Sequence, residues 1–401
     1  MRYTLFDFRY SALLPLTYTR PVSHLRVGAD RIIDKWERLW GERAEVCTAS
    51  DLSAKFPCAP PAGGFAVNAS VIPNAALAAK IRSLPEGTLL TSRGLAVAMH
   101  CTADQIKLIS QQVNLKEYPD LKPMATETEV FPEALTFIER PSDIFAQNGA
   151  VLRDDFDALT RGRRTTNFPE GVMVTGRDIF AEPGATLRPC FINAAEGPVY
   201  IAAGAEVSEG CMIRGPLYLG PDSILKMGAK IYGPTTVGKH CKVGGEVNNS
   251  IIDDYSNKGH DGFLGNSVVG SWCNLGADTN VSNLKNNYGQ IRVWDYETEE
   301  LRDTGLQFHG LVMGDHSKAG INTMFNTGTV VGVSCNIYGG GFPKKFIPSF
   351  SWGGDEGLID YDFDKACQTA EAMMARRGVP FTETDRDLLS AIFEADAGFR
   401  P

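Results

Sequence analysis

The sequence predicts an α/β domain, then a left-handed parallel β-helix of the hexapeptide class, then C-terminal helices. Three observations carry that reading. First, Ile201, Val207, Ile213, Leu219, Leu225, Ile231, Val237 and Val243 are all apolar and each follows the last by six residues. Neither an amphipathic helix nor an alternating strand repeats at six. Second, a smaller set lies two positions earlier in each hexad, at Val199, Ala205, Cys211, Leu217, Ser223, Ala229, Thr235, Cys241 and Val247. Glycines fall between them, at Gly204, Gly210, Gly220, Gly228, Gly238 and Gly244, where corners need a backbone with positive φ. One short strand per hexad, and three hexads per triangular turn, satisfies both sets. Third, no such period exists before about residue 145, where strand-like and helix-like segments alternate as in an α/β sheet.

Taken in order, Tyr3–Phe6 is a first strand and Ala29–Trp40 a helix with Ile32, Ile33 and Trp36 on one face. Strands are expected at Ala44–Val46, Gly64–Val67 and Thr88–Leu90, with a helix at Ala75–Ser83. Tyr118 to Pro141 is irregular, and Phe145–Arg163 fits a helix. Val172 to Leu187 leads into the coil. After Val243 the phase slips by two, resumes at Ile251 and runs through Phe263, Val269, Leu275 and Val281. The polar stretch from Ser282 to Gln307 is an insertion thrown out from one corner, since the period returns at Met313, Ala319, Phe325, Val331 and Ile337. Solenoid insertions of this kind commonly hold binding residues. Gly339 to Lys345 ends the regular coil, and helices follow at Asp364–Arg377 and Glu383–Glu394, packed on the prism or capping its end. The expected domains are 1–165, 166–350 and 351–401.

A net charge of −9 with 22% charged residues gives no basic surface for nucleic acid. Nine cysteines without CxxC pairs suit buried thiols in a reducing compartment. The first ten residues, MRYTLFDFRY, lack the apolar run of a signal peptide. No stretch of about eighteen apolar residues exists, so neither a membrane span nor a membrane partner is expected. A cytoplasmic protein is the expectation.

The chemistry centres on Asn257-Lys258-Gly259-His260-Asp261-Gly262-Phe263-Leu264-Gly265-Asn266. His260 falls at a break in the frame, hence at a corner, and histidine suits a general base acting near neutral pH. A corner histidine bonded to a backbone carbonyl fits the same position. Asn280, Ser282, Asn283, Lys285, Asn286 and Asn287 open the insertion with neutral donors and one cation, a mixture suited to a hydroxyl-rich sugar phosphate. Asparagines that merely build turns fit it too.

The stretch EVNNSIIDDYSNKGHDGFLGNSVVGSWCNLGADTNVSN resembles the acetyltransferase domain of the bifunctional N-acetylglucosamine-1-phosphate uridyltransferase/glucosamine-1-phosphate N-acetyltransferase family. TRPVSHLRVG, MGAKIYG, NKGHDGFLG, GDHSKAGINTMFNTGTVVG and FIPSFSWGG are similar to its divergent Bacteroidetes-type form, a sugar nucleotidyltransferase. The resemblance implies a nucleotidyltransferase-like N-terminal domain and a homotrimer. It also implies acetyl-CoA as cosubstrate, with Mg²⁺ for any nucleotidyl transfer from UTP or another nucleoside triphosphate. His260 matches the family's base, and Asn274 an asparagine that contacts the sugar. Phe263 stands where the family has tyrosine, and Asn248 where it has a basic residue. Lys226 and Lys285 are the candidates for phosphate-binding side chains. Asn283 matches a residue at the acetyl group and cofactor, although Leu284 replaces the tyrosine that follows. Asn322 is a further cofactor-binding candidate, and Lys344 and Lys345 are candidates for the coenzyme A phosphates.

In the N-terminal half the same family opens with a Gly-rich phosphate loop, but Asp7 to Thr17 contains no glycine. Arg9, Arg20 and Arg26 are the candidates for nucleotide binding. Val67-Asn68-Ala69-Ser70 falls where a metal-binding aspartate is expected, which leaves the metal ligands unknown. The implied function is N-acetylation of an amino-sugar 1-phosphate, with nucleotidyl transfer in the N-terminal domain. The alternative is a nucleotide-sugar sensing module on a structural trimerisation stalk.

Overall fold

The computed structural model describes residues 2–58, 63–113 and 117–400. Contacts divide the chain into two compact units. One holds the residues up to Arg26 with Asp30–Asp143, the other Val27–Ala29 with Ile144–Pro401.

The first unit is built on a six-stranded mixed sheet, in the order Glu45–Cys47, Tyr3–Phe6, Gly63–Asn68, Leu95–Thr102, Thr88–Ser92, Glu127–Val130. The first three strands run parallel, so the chain leaves Phe6 and Asn68 at the same edge of the sheet. The helix Ile32–Trp40 buries Ile32, Ile33 and Trp36 and stops at Gly41, whose φ of 70° is the left-handed end that glycine tolerates. The edge strand Glu127–Val130 falls in a stretch expected to be irregular, and two further elements also have no counterpart in the sequence-based expectation. Leu95–Thr102 (LAVAMHCT) is buried on both faces through its middle, so it lacks the alternation that marks a strand. The helix Ala103–Ser110 that follows is short and announced by a capping box, Thr102 with Gln105.

The second unit is a parallel β-coil with three faces. Strands stack at an eighteen-residue offset: Ile201 on Leu219, Val207 on Leu225, Ile213 on Ile231. All eight apolar residues of the main series are inside, no more than 4% exposed, and the companion small positions are 0–1% exposed. Each inward Val, Leu or Ile contributes about 1.5–3 kcal/mol by leaving water, which is how strands of two or three residues hold together. The coil starts earlier than expected. Met173–Thr175, Ile179–Ala181 and Thr186–Leu187 already form its first turn.

The second face of the coil is covered from within the same unit. Phe180, Tyr200 and Tyr218 form an outward aromatic stack against Ala29, Leu152, Phe156 and Leu159. Gly28 and Ala29 donate their amides to Asn148 Oδ1 (2.9 Å) and Asp155 Oδ2 (2.8 Å) on the helix Pro141–Thr160. Thr236 Oγ1 sits 3.0 Å from Gly28 O and 3.1 Å from Asn148 Oδ1. These polar groups are buried and satisfied together, as a covered sheet face requires.

Beyond Val243 the frame differs from the expected one by one residue at two places. Thr236 stacks on Ile251 and Val237 on Ile252, a step of fifteen residues that places Ile252, not Ile251, inside. Val247 stacks on Leu264, so Leu264 is fully buried while Phe263 faces outward and is half-buried. Two shortened corners make the slip, Gly244–Gly245 between Val243 and Val247 and Asn249–Ser250 between Val247 and Ile252. A Cβ on Gly245 would lie 2.7–2.8 Å from the carbonyls of Gly262 and His260. Between these positions the inward slot stacked on Val243 is filled by Lys258.

The insertion forms an antiparallel hairpin, Arg292–Asp295 with Glu300–Asp303, and the inward series resumes as expected at Met313. The coil also runs past Lys345. Phe346–Ile347 and Ser351–Gly354 continue two faces, and Gly357–Asp360 then turns back antiparallel on the last strand. The helices Phe363–Ala375 and Glu383–Ala395 close that end through Phe350, Phe363 and Phe393 and through Asp396, which accepts from Ser349 N at 2.9 Å.

This register has a measurable consequence. Leu264→Ala should lower unfolding stability by about 2–5 kcal/mol, the cost of a cavity in a packed core. Phe263→Ala should cost about 1 kcal/mol or less. Denaturant midpoints of the two variants check the assignment, and equal losses would contradict it.

Candidate functional site

His260 lies exposed in the corner loop between the third-face strand Asn257–Lys258 and the first-face strand Phe263–Gly265. The loop rests on Gly244 and Gly245, where any side chain would collide with its backbone. From inside the coil, Lys258 Nζ donates to the carbonyls of His260 and of Asp261 (2.8 Å). Burial pushes that amine down to about 8, opposed by the charges of Asp261 and Asp278. Phe263 N donates to Asn280 Oδ1 at 2.8 Å, which ties the loop to the next coil.

Several predicted residues gather on the first face beside this loop. Asn283 Nδ2 donates to Asn266 Oδ1 at 2.8 Å. Gly265 leaves room for both Asn283 and the Phe263 ring, since a Cβ there would sit 2.6 Å from each. Asn248 pairs with Gly265 one coil earlier. Asn322 is exposed in a left-handed corner, φ 59°, its amide donating to Ala277 O in the coil below. Asn274 is on the third face, aligned with Asn257. Lys226 lies on the same corner as His260 but two coils before it, with the bare Gly244 between. His316 belongs to a different corner, in a ring stack with Trp272 that continues through Tyr255 to His240.

Lys285, Lys344 and Lys345 form a separate basic group. Burial and the neighbouring charges of Lys285 and Arg292 lower the Lys345 amine. Lys344 and Lys345 border a cleft of about 550 Å³ lined also by Trp294, Leu301, Phe346 and Phe399. Trp294 and Phe346 stack at 4.2 Å on one wall. Sequence reasoning did not find Arg292 and Trp294, because the hairpin that brings them here sits inside a stretch with no period. It also did not find Lys258, because the expected frame put residue 257, one place earlier, in the inward slot.

In the first unit, Asp7 follows the first strand at the edge where parallel strands of α/β sheets commonly present ligand sites. It is 0% exposed. Burial raises its pKa to about 7, partly offset by Thr48 and the backbone of Val22 and Ser23. Arg9 takes a left-handed backbone, φ 56°, and holds its guanidinium 5.5 Å from the Tyr118 ring centre. His24 is pushed down to about 4 by burial and by Arg31 and Arg20. Burial raises Asp34, but Arg31 and Arg26 outweigh it and leave its pKa lowered. The three predicted arginines thus belong to a cationic segment beside the first strand's exit.

Asn68 does not suit a metal. Its Nδ2 donates to Ala96 O at 3.0 Å, and its Oδ1 accepts from Ser70 N (3.0 Å) and Ser70 Oγ (2.8 Å). Among the described residues no group of three His, Cys, Asp or Glu side chains comes together as a metal site. The donor set therefore does not fit a resident divalent cation. All nine cysteines are free thiols, and no helix among the described residues is long and apolar enough to cross a membrane.

Residues 3–164 match the family described as sugar nucleotidyl transferase. The bifunctional protein GlmU of Synechococcus elongatus is 26% identical over 182 residues, covering 43% of this chain and 36% of that protein. The bifunctional sugar-1-phosphate nucleotidylyltransferase/acetyltransferase of Sulfurisphaera tokodaii is 31% identical over 154 residues, 38% of each chain. The chain thus spans well under half the length of these curated relatives. Among solved structures, the polySia specific acetyltransferase NeuO covers 52% of this chain at 13% identity and a TM-score of 0.30. Fold and matches together define a sugar nucleotidyl transferase-type domain joined to a hexad coil. Over those matched parts the chain is similar to proteins named as bifunctional GlmU or sugar-1-phosphate nucleotidylyltransferase/acetyltransferase.

The buried Asp7 makes the first unit sensitive to pH. Its carboxyl holds a proton up to about pH 7 when folded but only to about 3.8 when exposed, so its contribution to stability is present at acid pH and lost as pH rises through that window. Asp7→Asn should match the parent near pH 4 and exceed it at pH 8 in denaturant midpoint.

Proposed function

We propose that the coil transfers an acetyl group from acetyl-CoA to the amine of an amino-sugar 1-phosphate, glucosamine 1-phosphate being the first candidate. The observation that carries this reading is the placing of His260 on an exposed corner that is fixed from below, from inside and from the next coil. A base held this way meets the demand for positioned proton transfer. The amine arrives as ammonium. His260 takes one proton, the free amine attacks the thioester carbonyl, and the tetrahedral intermediate collapses as its second N–H proton passes to the leaving sulfur, giving the amide and the coenzyme A thiol, while the proton on His260 is released to solvent.

In this reading Asn248, Phe263 and Asn274 face the sugar, and Lys226 and Lys285 meet its phosphate. Asn283 and Asn322 orient the acetyl group and its carrier. Lys344 and Lys345 take the carrier's phosphates at the rim of the aromatic cleft. The missing phenol at Phe263 and the missing charge at Asn248 point to a sugar recognised with fewer direct polar contacts than in the resembling family.

For the first unit, the family match supports sugar-nucleotidyl transfer, with Arg9, Arg20 and Arg26 offsetting triphosphate charge. Asn68 in place of an aspartate and the loop without glycine favour the second reading for that unit alone, a nucleotide-sugar binding module. Mg²⁺ belongs only to the nucleotidyl-transfer reading, and among the described residues no cluster of three His, Cys, Asp or Glu side chains stands ready for it.

His260→Ala should lower turnover of acetyl transfer by roughly a hundredfold or more and leave acetyl-CoA binding unchanged. Thiol release with acetyl-CoA and glucosamine 1-phosphate measures this, beside pyrophosphate release with UTP, which the substitution should leave alone. A folded variant with full acetyl-transfer activity would remove His260 from the reaction.

The working unit in this reading is a homotrimer. On the first face Met173, Phe191 and Met212 are in direct register and about half exposed (51%, 49% and 56%), an apolar stripe of the kind that marks an association surface. Sedimentation at micromolar concentration should give three times the chain mass. Met212→Glu should shift it toward the monomer.

A further inference from the structure

Lys258 occupies a position where the coil elsewhere puts an apolar side chain. Val243 stacks directly beneath it, and Leu275 holds the equivalent inward position in the following coil. It is 1% exposed and ranks among the bulkiest fully buried side chains of the chain. An ammonium in such a slot is costly to desolvate, and an aliphatic residue would pack there with less penalty. What the amine does instead is reach the wall and donate to two successive carbonyls, those of His260 and Asp261. No other described contact reaches those carbonyls from inside the coil. Outside, the loop rests on the bare Gly244 and Gly245, and its far end is tied to the next coil at Asn280.

We infer that Lys258 is a positioning residue that fixes the His260 loop from within the coil, keeping the imidazole where the incoming amine must be deprotonated. The inference rests on the reading of His260 as the general base. Asp261, on the same loop, and Asp278, from the next corner, are the charges that act on the amine. Both favour the ammonium form, which supplies the two donated protons. Burial works against it, so the tether weakens as pH rises through about 8.

The sign of the stability effect follows. A lysine held below its ordinary value of 10.5 destabilises the fold fully at neutral pH, and that penalty fades between about 8 and 10.5. Loss of the amine therefore should not weaken the coil.

Lys258→Met tests this, because methionine fills the slot with an unbranched apolar chain. The variant should unfold at the same temperature as the parent or higher at pH 7. Hydrogen exchange of the segment 259–263 should nonetheless quicken by at least tenfold. Turnover of acetyl transfer should fall about tenfold to a hundredfold, the penalty of a misplaced group, with KM for acetyl-CoA unchanged. Lys258→Arg, which keeps a cationic donor, should restore part of the rate. Unchanged exchange overturns the tether, and quickened exchange with parental turnover overturns its role in the reaction. A parent that transfers no acetyl group, or a fully active His260→Ala, overturns the reading of His260 instead. Exchange then decides by itself whether Lys258 holds the loop.

Discussion

Everything in the coil depends on one constraint: a side chain pointing inward must sit directly on the one a full turn before it. The strands are two or three residues long and cannot persist singly. Their stability is collective, summed over inward columns such as Val207, Leu225 and Val243 and the parallel hydrogen bonds between turns. A corner can therefore gain or lose residues only if the inward phase is recovered at the next strand. The fifteen-residue step from Thr236 to Ile251 and the insertion between Val268 and Val312 both obey it. Irregularity is pushed to the corners, and the candidate site is built from that irregularity.

That constraint also explains what could be read from the sequence. Eight apolar positions in one phase specify the inward columns from Ile201 to Val243, and the return of the phase at Met313 marks the insertion as a loop. The reading went astray at Ile251 and Phe263, where two adjacent apolar residues, Ile251-Ile252 and Phe263-Leu264, offer two phases with equal hydrophobicity. Only the stacking partners, Val237 and Val247, choose between them. In the α/β unit, Leu95–Thr102 was missed for a related reason, since a strand buried through its middle shows no alternation.

For the candidate site, the local sequence around His260 was enough to place that histidine on a corner near Phe263. It could not reveal that Lys285 shares the field of Arg292 and Lys345, which meet only because the hairpin folds back. Nor does residue type alone announce a lysine turned inward. Charged residues in repeat sequences are usually on the outside, and Lys258 becomes unusual only when its column is known. In the first unit, the lack of glycine between Asp7 and Thr17 was visible at once. The burial of Asp7 was not, because it depends on the packing around Val22, Ser23 and Thr48.

The antiparallel return of Gly357–Asp360 bears on what the end of the coil offers to another chain. A stack of parallel turns has an open rung at its end, and an open rung accepts another chain as readily as its own. Here the last strand, Ser351–Gly354, is paired on its free side by a segment running the opposite way. Gly353 and Gly357, with φ of 135° and 138°, lie where the chain reverses. The reversal gives a passing strand a mismatched ladder instead of a template. On that face, the direction of one short segment disfavours end-to-end stacking of a second coil.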